Sequence, residues 1–493
     1  MSEQERAARR ERLEALRAEG VDPYPSRVGP RTPVAQVRAL HDAKTAEVLE
    51  AEGPAAAVAG RILAQRSFGK LAFLELLDDG ARIQVSVRKA EAPPEVFAFA
   101  KRLDVGDFVR VEGVVWRTRK GELSVDARAI DLLSKSLRPL PEKWHGLQDV
   151  ETRYRQRHLD LLVNERAREI ALVRSRTVTA MRRFLDERGF LEVETPALQP
   201  IYGGAAAKPF VTHHNALDRR LYLRISDELY LKRLVIAGFD RVYEIGRNFR
   251  NEGISRKHSP EFTMMECYQA YADYREMMEL TQSLVQEVAR EVLGRTRISF
   301  GDHEIELSGD WPRRPMCEAI QEETGVDVLA APDLESLREA IRAAGLPPGD
   351  APTWATLVDA LFSDHVEPKL VQPTFLTDHP AELSPLAKRS SRDPRLVERF
   401  EPYLAGFEIG NAFSELNDPD DQRARFEEQR QAAAEGDEEA HPMDEDYLRA
   451  LEQGLPPTGG LGIGVDRFAM VLADAPNLRE TILFPHLRGE AGQ

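Results

Sequence analysis

The sequence predicts an α+β protein that consists of a small N-terminal β-barrel and a larger domain of mixed strands and helices. Residues 55–135 contain about five short strand-like runs that are separated by turn signals. Beyond residue 170, long helical patterns alternate with strands that read as buried. The chain has 493 residues, of which 42% are hydrophobic and 30% charged, so two or three domains with a sizeable core are expected.

Residues 1–54 are predicted to form an N-terminal helical extension. Leu13, Leu16 and Val21 lie at amphipathic spacing among many charges, and Asp22-Pro23 ends the pattern. This pattern favours a surface helix packed on a neighbouring domain. A basic arm that contacts RNA is the alternative, because arginines recur along the segment, at Arg6, Arg9, Arg10, Arg12 and Arg17.

Residues 55–140 predict a barrel of the OB-fold type. Asp78-Asp79-Gly80 and Lys120-Gly121 are hairpin turn signals, and one helical stretch at 95–103 interrupts the strands. Such barrels serve many functions, so the fold alone does not define one. The predicted strands cover residues 58–62, 71–76, 82–87, 108–115 and 122–125.

A linker at residues 141–170 is predicted to lead into one large domain at 171–490. Residues 315–365 are helical in pattern without a catalytic signature, so they read as an insertion. Residues 430–446 are acidic and predict a surface turn with a helix start. The long helices are expected at about 166–188, 227–237, 274–293 and 464–474.

Charge and cysteine content narrow the functional classes. The formal net charge is -16, so any nucleic-acid partner must be bound through local basic patches. The two cysteines, Cys267 and Cys317, show neither disulfide-framework nor zinc-ligand spacing and fit a reducing cytoplasm. The N-terminus lacks the apolar core of a signal peptide, and no stretch approaches the roughly 20 apolar residues of a membrane span.

Strand alternation gathers polar and aromatic side chains onto one surface of the large domain. Side chains two residues apart share a face, which groups positions within segments 242–252, 262–268 and 407–416. We therefore expect these segments to be adjacent strands that present a ligand-binding face, since a structural sheet face is normally apolar. The positions are Glu244, Asn248, Arg250, Glu252, Phe262, Met264, Glu266, Tyr268, Asn411, Phe413 and Glu415.

Several of these side chains suit the parts of a nucleotide and its metal. The planar fork of Arg250 fits a carboxylate or phosphate, and Phe262 offers a ring on which a base can stack. Glu408 and Glu415 are candidate Mg²⁺ ligands, since Mg²⁺ prefers oxygen. Their spacing places them on opposite strand faces unless Gly410 marks a bulge, so the metal site depends on that bulge.

The glycine-rich stretch 459–464 matches neither a P-loop nor a dinucleotide-binding fingerprint. Its glycines would let the backbone approach a nucleotide closely. An apolar helix follows, in which Asp466 is predicted to be a helix cap and Arg467 to meet a polyphosphate.

Three separated segments resemble the motifs of class II aminoacyl-tRNA synthetases. Residues 190–196 are similar to motif 1, residues 249–262 to motif 2 and residues 459–467 to motif 3. The similarity runs from about residue 55 to the end and extends to strings that resemble the lysyl-tRNA synthetase family. These strings are residues 203–210, 224–233, 248–253, 264–266, 383–388, 410–418 and 454–457.

The resemblance implies a catalytic domain with an antiparallel sheet and flanking helices, homodimerisation through motif 1, and L-lysine, ATP and tRNA(Lys) as substrates. It implies Mg²⁺ as cofactor, with up to three ions per subunit, bound by Glu408 and Glu415. Arg250 and Arg467 are the implied catalytic residues, and the barrel is implied to read the anticodon through Phe73, Gln84 and Glu122. The implied ATP-binding residues are Arg250, Glu252, His258, Phe262, Glu408 and Arg467, and the lysine-binding residues are Gly204, Glu228, Arg250, Glu266, Tyr268, Asn411, Phe413 and Glu415.

The residues disfavour three other functions. A paralogue that lysylates a protein would lack the anticodon barrel, and a non-catalytic RNA-binding homodimer would have lost ATP residues such as Arg250 and Arg467. An aspartyl or asparaginyl enzyme would not need a pocket rich in glutamates.

Two further details concern single residues. Ser259 departs from the asparagine that is common after the motif 2 histidine. The adjacent His213 and His214 point in opposite directions on a strand, which argues against a metal pair.

Overall fold

The computed structural model describes residues 3–141, 147–434 and 441–487. The chain divides into two compact units, Met1–Gly146 and Leu147–Gln493.

The first unit is a closed five-stranded barrel with the strand order β1-β2-β3-β5-β4, which confirms the OB-fold prediction. Strands β3 and β5 pair in parallel, and the other pairs are antiparallel. The elements are α1 (Glu3–Ala18), α2 (Val34–His41), α3 (Ala46–Glu52), β1 (Ala55–Phe68), β2 (Leu71–Asp78), β3 (Ala81–Arg88), α4 (Pro94–Ala100), β4 (Phe108–Arg117) and β5 (Leu123–Ser134).

The barrel closes because every second side chain faces its interior. Val85, Val87 and Val109 are fully buried there, as the alternating pattern predicts. The turn between β2 and β3 uses Asp79 and Gly80, both at positive φ (44° and 84°), as a two-residue hairpin turn requires.

Helix α1 packs on the barrel, which confirms the surface-helix interpretation of the N-terminal segment. Leu13 and Leu16 are buried. The arginines on this face also contact the barrel: Arg9 Nη1 donates to the Val105 carbonyl (2.9 Å), and Arg12 Nη2 donates to Asp104 (2.9 Å). Both side chains therefore tie the helix to the barrel, and the burial of Arg9 leaves it little surface for another contact.

The second unit contains twelve α-helices and fourteen strands among its described residues. The helices are α5 (Val150–Arg155), α6 (Arg157–Val163), α7 (Glu165–Asp186), α8 (Glu228–Ile236), α9 (Tyr274–Leu293), α10 (Met316–Thr324), α11 (Leu334–Ala343), α12 (Trp354–His365), α13 (Pro419–Ala434), α14 (Glu445–Leu451), α15 (Val465–Leu472) and α16 (Leu478–Thr481). The strands are β6 (Leu191–Glu192), β7 (Leu198–Gln199), β8 (Val211–His214), β9 (Arg219–Leu223), β10 (Arg241–Phe249), β11 (Glu261–Ala270), β12 (Arg297–Phe300), β13 (His303–Glu306), β14 (Arg313–Pro315), β15 (Thr374–Thr377), β16 (Arg399–Leu404), β17 (Phe407–Glu408), β18 (Gly410–Ser414) and β19 (Thr458–Gly464).

A mainly antiparallel sheet with the order β14-β15-β16-β18-β19-β11-β10-β6, in which β17 pairs with β16, forms the centre of this unit. Only its outermost pairs, β14 with β15 and β10 with β6, are parallel. Tyr243, Met265 and Cys267 point from the sheet into the core formed with α7, α9 and α15. The helices therefore cover one face, while the opposite face carries Glu244, Glu266 and the other polar side chains.

Two sequence predictions in this region are wrong. The glycine-rich stretch is strand β19, which lies between β11 and β18, so the three polar segments are not directly adjacent. Asp466 does not cap α15, since its Oδ2 accepts from the Thr263 backbone N–H (2.7 Å) and its Oδ1 from Arg174 Nε (2.8 Å). Asp466 instead anchors the start of the helix to β11 and α7.

From Leu147 onward the region predicted to be a linker belongs to the second unit, and it is helical from Val150. Arg157 is buried and donates to the carbonyls of Leu483 (3.0 Å) and Ile482 (3.1 Å). The predicted insertion is helical and packs α10, α11 and α12 around a separate cluster that includes Leu337 and Val358.

Within the ranges described here, no helix is long and apolar enough to cross a bilayer. The predicted acidic turn at 430–446 lies partly outside the described residues.

Candidate active site

The uncovered face of the central sheet forms the floor of a cavity of about 360 Å³. All the residues that the sequence predicted for ATP and lysine line this one cavity. They are Gly204, Glu228, Arg250, Glu252, His258, Phe262, Glu266, Tyr268, Glu408, Asn411, Phe413, Glu415 and Arg467.

The glycines of β19 make space for the side chains of the strands on either side. A Cβ at position 460 would lie 2.6 Å from Tyr268 Cε1, and a Cβ at position 462 would lie 3.1 Å from Met264 Cε. Tyr268 from β11 and Glu415 from the end of β18 therefore meet over a strand that carries no side chains there. The absence of a Cβ, rather than turn flexibility, explains these glycines.

One end of the cavity is acidic and buried. Glu228, Glu266 and Glu415 are each at most 5% exposed. Burial, together with the negative charge of Glu228, raises the pKa of Glu266 to about 7. Burial also raises the pKa of Glu415 and Glu228, although Lys232 opposes the shift in both. Three carboxyl groups so close together favour a cationic ligand, because such a ligand would supply the missing counter-charge.

The acidic end is held by hydrogen bonds from the turn that precedes α8. Ser226 Oγ donates to Glu266 Oε1 (3.0 Å), as does the backbone N–H of Asp227 (3.2 Å). Gly204 lies beside this turn at φ +87°, where a Cβ would come within 2.7 Å of Ser226 Oγ. A larger residue would collide with Ser226 here, so glycine lets the backbone at position 204 lie directly beside the acidic end.

Lys232 is a residue of this site that the sequence did not reveal. Its side chain is fully buried, donates to Glu228 Oε1 (2.5 Å) and also forms an ion pair with Glu415. Burial opposes its charge, but Glu228 and Glu415 raise the pKa of the ammonium group above its usual value. In a sequence, a Glu–Lys pair at i,i+4 normally indicates an exposed helix face. The spacing of Glu228 and Lys232 therefore did not indicate a buried site.

The other end of the cavity carries cationic side chains. Arg250 lies in the loop after β10, and its Nε has no hydrogen-bond partner among the described residues. Arg467 at the start of α15 donates to Glu408 Oε2 (3.0 Å), and the imidazole of His258 lies at the exposed rim. Burial and the nearby Arg467 lower the pKa of His258. Two guanidinium groups and an imidazole at one end suit a polyphosphate.

The bulge on which the predicted metal site depends is present. Glu408 pairs with Tyr403, whereas Phe413 pairs with Arg399, so the segment from Glu408 to Phe413 is one residue longer than the opposite segment. The extra residue lies beside Gly410 and allows Glu408 and Glu415 to line the same cavity.

Glu408 and Glu415 line this same cavity but have different charged partners, and the metal pair stays a prediction. Glu415 pairs with Lys232, whereas the carboxylate that acts most strongly on Glu408 is Glu401. Glu401 lies two residues before Tyr403, the pairing partner of Glu408, and therefore on the same face. Across the described segments, no group of three or more His, Cys, Asp or Glu side chains forms a metal-binding cluster.

Arg399 and Glu401 are further cavity residues that the sequence analysis missed. Arg399 donates to Asn411 Oδ1 (2.8 Å) through Nε and to Glu401 Oε1 (2.6 Å) through Nη2. Burial opposes ionisation of Glu401, but Arg399 lowers its pKa to about 2, so the group remains a carboxylate. Glu401, Glu408 and Glu415 follow one another at intervals of seven residues. The sequence alone therefore could not show which neighbour lies beside Glu408, because that depends on how the strands pair.

Phe262 and Glu252 lie beside Arg250. The Arg250 guanidinium carbon is 5.2 Å from the centroid of the Phe262 ring. Glu252 is exposed, and its backbone N–H donates to the Arg250 carbonyl (2.8 Å). A flat ring next to an exposed carboxylate offers both a stacking surface and a hydrogen-bond acceptor for a base.

The predicted anticodon residues lie on the outer surface of the barrel. Phe73 on β2 and Gln84 on β3 alternate with the buried residues of their strands, and Gln84 Nε2 donates to Ser124 Oγ (2.8 Å). Glu122 is exposed in the turn between β4 and β5. The ring of His213 contacts Asp218 and Asn215, and the ring of His214 accepts from the Leu217 N–H, as in a local turn.

Comparison with known proteins supports the same interpretation. A family model described as tRNA synthetases class II (D, K and N) matches residues 149–488, and one described as an OB-fold nucleic acid binding domain matches residues 56–133. A lysine–tRNA ligase of Roseiflexus castenholzii is 55% identical over 479 residues, which are 97% of each chain. One from Chloroflexus aurantiacus is 53% identical over 484 residues, which are 98% of each chain. The chain therefore belongs to the lysine–tRNA ligase family of class II aminoacyl-tRNA synthetases.

Proposed function

We propose that this protein activates L-lysine with ATP and transfers the lysyl group to the 3′ end of tRNA(Lys). The observation that carries the proposal is the charge division of a single cavity. Glu228, Glu266 and Glu415 lie at one end, and Arg250 and Arg467 lie towards the other. A dicationic amino acid and a polyphosphate fit these two ends.

The acidic end accounts for the choice of amino acid. Glu266, Glu415 and the Tyr268 hydroxyl would bind the side-chain ammonium group, with Asn411 and Phe413 beside it, while Gly204 and Glu228 would bind the α-ammonium group. Amino acids without a terminal ammonium would leave buried carboxylates without a partner, which is a strong basis for rejection.

Activation needs no nucleophile from the protein. The carboxylate of lysine attacks the α-phosphorus of ATP, the bond to pyrophosphate breaks, and lysyl-adenylate forms. Arg250 would first hold the carboxylate and then the α-phosphate, while Arg467 and His258 hold the terminal phosphates. Phe262 would stack on adenine, and Glu252 would accept from its amino group. The 3′-terminal hydroxyl of tRNA then attacks the activated carbonyl and releases AMP. Positioning and charge neutralisation supply the rate enhancement.

Glu408 and Glu415 are the proposed Mg²⁺ ligands, and Glu401 is a further candidate beside Glu408. Mg²⁺ usually takes one or two protein carboxylates together with substrate phosphates, so a pair suffices. The low pKa of Glu401 supports its inclusion, since the group is a carboxylate without prior loss of a proton. When bound, the ion would neutralise phosphate charge during the transfer. Glu415 would border both the ion and the lysine end.

The barrel is proposed to bind the anticodon through Phe73, Gln84 and Glu122, and the protein is proposed to act as a homodimer. Exposed apolar side chains on and near motif 1 support dimerisation, because such patches mark protein contacts. They include Leu191, Leu198, Val211 and Leu217, with exposed fractions of 48%, 48%, 51% and 67%. The two buried free cysteines support a reducing location, the cytoplasm.

The central experiment is ATP–pyrophosphate exchange with each of the twenty amino acids. Lysine alone should support rapid exchange, and the absence of lysine-dependent exchange would refute the proposal. Arg250→Ala should lower exchange by at least about 10²–10³-fold, because it removes a group that stabilises transition-state charge. The matched control is Arg219→Ala, which alters an exposed arginine on β9 that does not line the cavity.

A second experiment separates the two units. Phe73→Ala should leave lysine-dependent exchange unchanged and weaken tRNA charging, because activation uses only the cavity of the second unit. Equal loss in both reactions would contradict the division of function between barrel and catalytic unit.

A further inference from the structure

A stacked Trp–Arg pair lies on the outer surface of the barrel and has no part in the function described above. The guanidinium carbon of Arg88 is 4.6 Å from the centroid of the Trp116 ring. Trp116 alternates with the buried Val115 on β4, so its ring points away from the barrel interior. A large aromatic side chain on the outside of a barrel does not contribute to closing its core.

A closed set of hydrogen bonds holds this pair rigidly. Arg88 Nε and Nη2 donate to the two oxygens of Asp126 (3.0 and 2.9 Å). Trp116 Nε1 donates to Ser86 Oγ (2.9 Å), and Ser86 Oγ donates to Asp126 Oδ1 (3.0 Å). Asp126 is 1% exposed and Ser86 is fully buried, so both anchors are fixed. Both planes, the indole and the guanidinium, therefore have defined orientations.

Arg88 keeps accessible surface in spite of these contacts. Its donor edge is used by Asp126 and one face rests on Trp116, yet the side chain is 36% exposed. A guanidinium plane held in this way can stack on an unpaired nucleobase, as arginine planes do in single-stranded RNA recognition. Hydrogen bonding to Asp126 also raises the pKa of Arg88, so its charge is retained.

The pair lies next to the residues proposed to read the anticodon. Gln84 pairs with Ser124, and Ser124 pairs with Trp116, so Gln84 and Trp116 are two strand spacings apart, about 10 Å. On the other side, Phe73 pairs with Ser86, the hydroxyl to which Trp116 donates. Arg88 lies two residues beyond Ser86 on β3, and therefore on the same face as Phe73 and Gln84, within reach of a neighbouring nucleotide.

The local charge suits a nucleic-acid backbone although the whole chain is acidic. The charge of Asp126 is shared between Arg88 and Arg128, whose Nη1 lies 3.0 Å from Asp126 Oδ2. Lys70 and Lys89 lie together at the end of the same strands, with the Lys89 N–H donating to the Lys70 carbonyl (2.9 Å). Glu91 also pairs with Arg128 (3.6 Å), yet these four cations outnumber Asp126 and Glu91, so the patch is net cationic, as phosphate binding requires.

We propose that Arg88, stacked on Trp116, is a second base-stacking site of the barrel and binds the anticodon-loop nucleotide next to the one at Phe73 and Gln84. The inference rests on the proposed function in that it takes tRNA as the ligand of the barrel. It adds a binding contact that motif resemblance did not indicate.

The test measures the affinity of the full-length protein for a synthetic hairpin with the tRNA(Lys) anticodon stem and loop. Arg88→Lys keeps a cation beside Asp126 but removes the planar face, so it should weaken binding by about 5- to 100-fold. Trp116→Leu, which removes the support beneath Arg88, should weaken binding in the same direction. Lysine-dependent pyrophosphate exchange should be unchanged in both variants, and thermal unfolding verifies that they fold.

Arg102→Lys is the matched control, because Arg102 is also 36% exposed and ion-paired, with Glu19, but is not among the cation–aromatic pairs of the described residues. Hairpins with one abasic anticodon position then locate the contact. At the position that stacks on Arg88, the losses of binding free energy from the abasic change and from Arg88→Lys should be strongly non-additive. Wild-type affinity in Arg88→Lys and Trp116→Leu, together with weakened binding in Phe73→Ala, would overturn this inference and leave the proposed function standing. Wild-type affinity in all three would overturn both the inference and the anticodon role of the barrel.

Discussion

Replacing Lys232 by methionine is the change that most directly tests the charge balance of the acidic end. The ammonium group is fully buried between Glu228 and Glu415 and lies 5.5 Å from the centroid of the Phe413 ring. Methionine has a similar length but no charge. The variant therefore leaves two buried carboxyl groups without their counter-charge while it preserves most of the packing.

The expected magnitude follows from that geometry. Removal of one partner from a buried ion pair typically costs about 3–5 kcal/mol of folding free energy. The carboxyl groups can reduce this cost by taking up protons, which raises their pKa further. Each unit by which the pKa of a carboxyl group exceeds the ambient pH lowers its ionised fraction about tenfold. Because lysine binding needs the ionised form, each such unit costs about 1.4 kcal/mol of binding free energy.

The sign of the pH dependence is fixed by this protonation. A carboxyl group whose pKa is higher in the folded than in the unfolded protein makes folding less favourable as pH increases. The variant should therefore lose more thermal stability at pH 8 than at pH 6. Its KM for lysine should be raised most strongly at low pH, where Glu228 and Glu415 are protonated.

Thermal unfolding and lysine-dependent exchange across pH 6–8 provide the assay. Lys369→Met is the control, since Lys369 is exposed in its ion pair with Glu323 and should change stability by no more than about 1 kcal/mol. The double variant Lys232→Met/Glu228→Gln should recover part of the stability but not the affinity for lysine. A Lys232→Met protein with wild-type stability and a wild-type pH profile would refute the reasoning.

Three further changes test other parts of the cavity. Because the pKa of Glu266 is about 7 and a cationic ligand favours its ionised form, KM for lysine should fall as pH rises from 6 to 8, and Glu266→Gln should abolish this trend. Gly460→Ala should raise KM for lysine at least about tenfold in exchange assays, because its Cβ would lie 2.6 Å from Tyr268 Cε1; unchanged kinetics would show that the floor can move. Glu401→Gln should raise the Mg²⁺ concentration for half-maximal exchange by about tenfold or more, and an unaltered Mg²⁺ titration would exclude Glu401 as a ligand beside Glu408.

Strand alternation predicted most of the cavity because its rule is local. Side chains two residues apart share a face in any strand, so the grouping of Phe262, Glu266 and Tyr268 required no knowledge of neighbouring strands. The bulge beside Gly410 was predictable for the same reason, since only an extra residue lets Glu408 and Glu415 face one cavity.

The order of the strands was not predictable in this way. Glycines are common in turns and lack any alternation of side chains, so nothing in residues 459–464 indicated a central strand. Their neighbours explain them: Tyr268 and Glu415 extend over the space that a Cβ would occupy. The same applies to Asp466, whose hydrogen bonds to Thr263 and Arg174 join residues far apart in the chain.

The sequence by itself determined the classes of element, the closed barrel, the face on which polar residues gather and, through its motifs, the family. These features depend on periodicity and on short strings, which act over a few residues. Tertiary structure alone decided which charges neutralise each other: Lys232 with Glu228 and Glu415, and Arg399 with Glu401. Electrostatic interaction depends on distance in space, and the register between strands sets that distance.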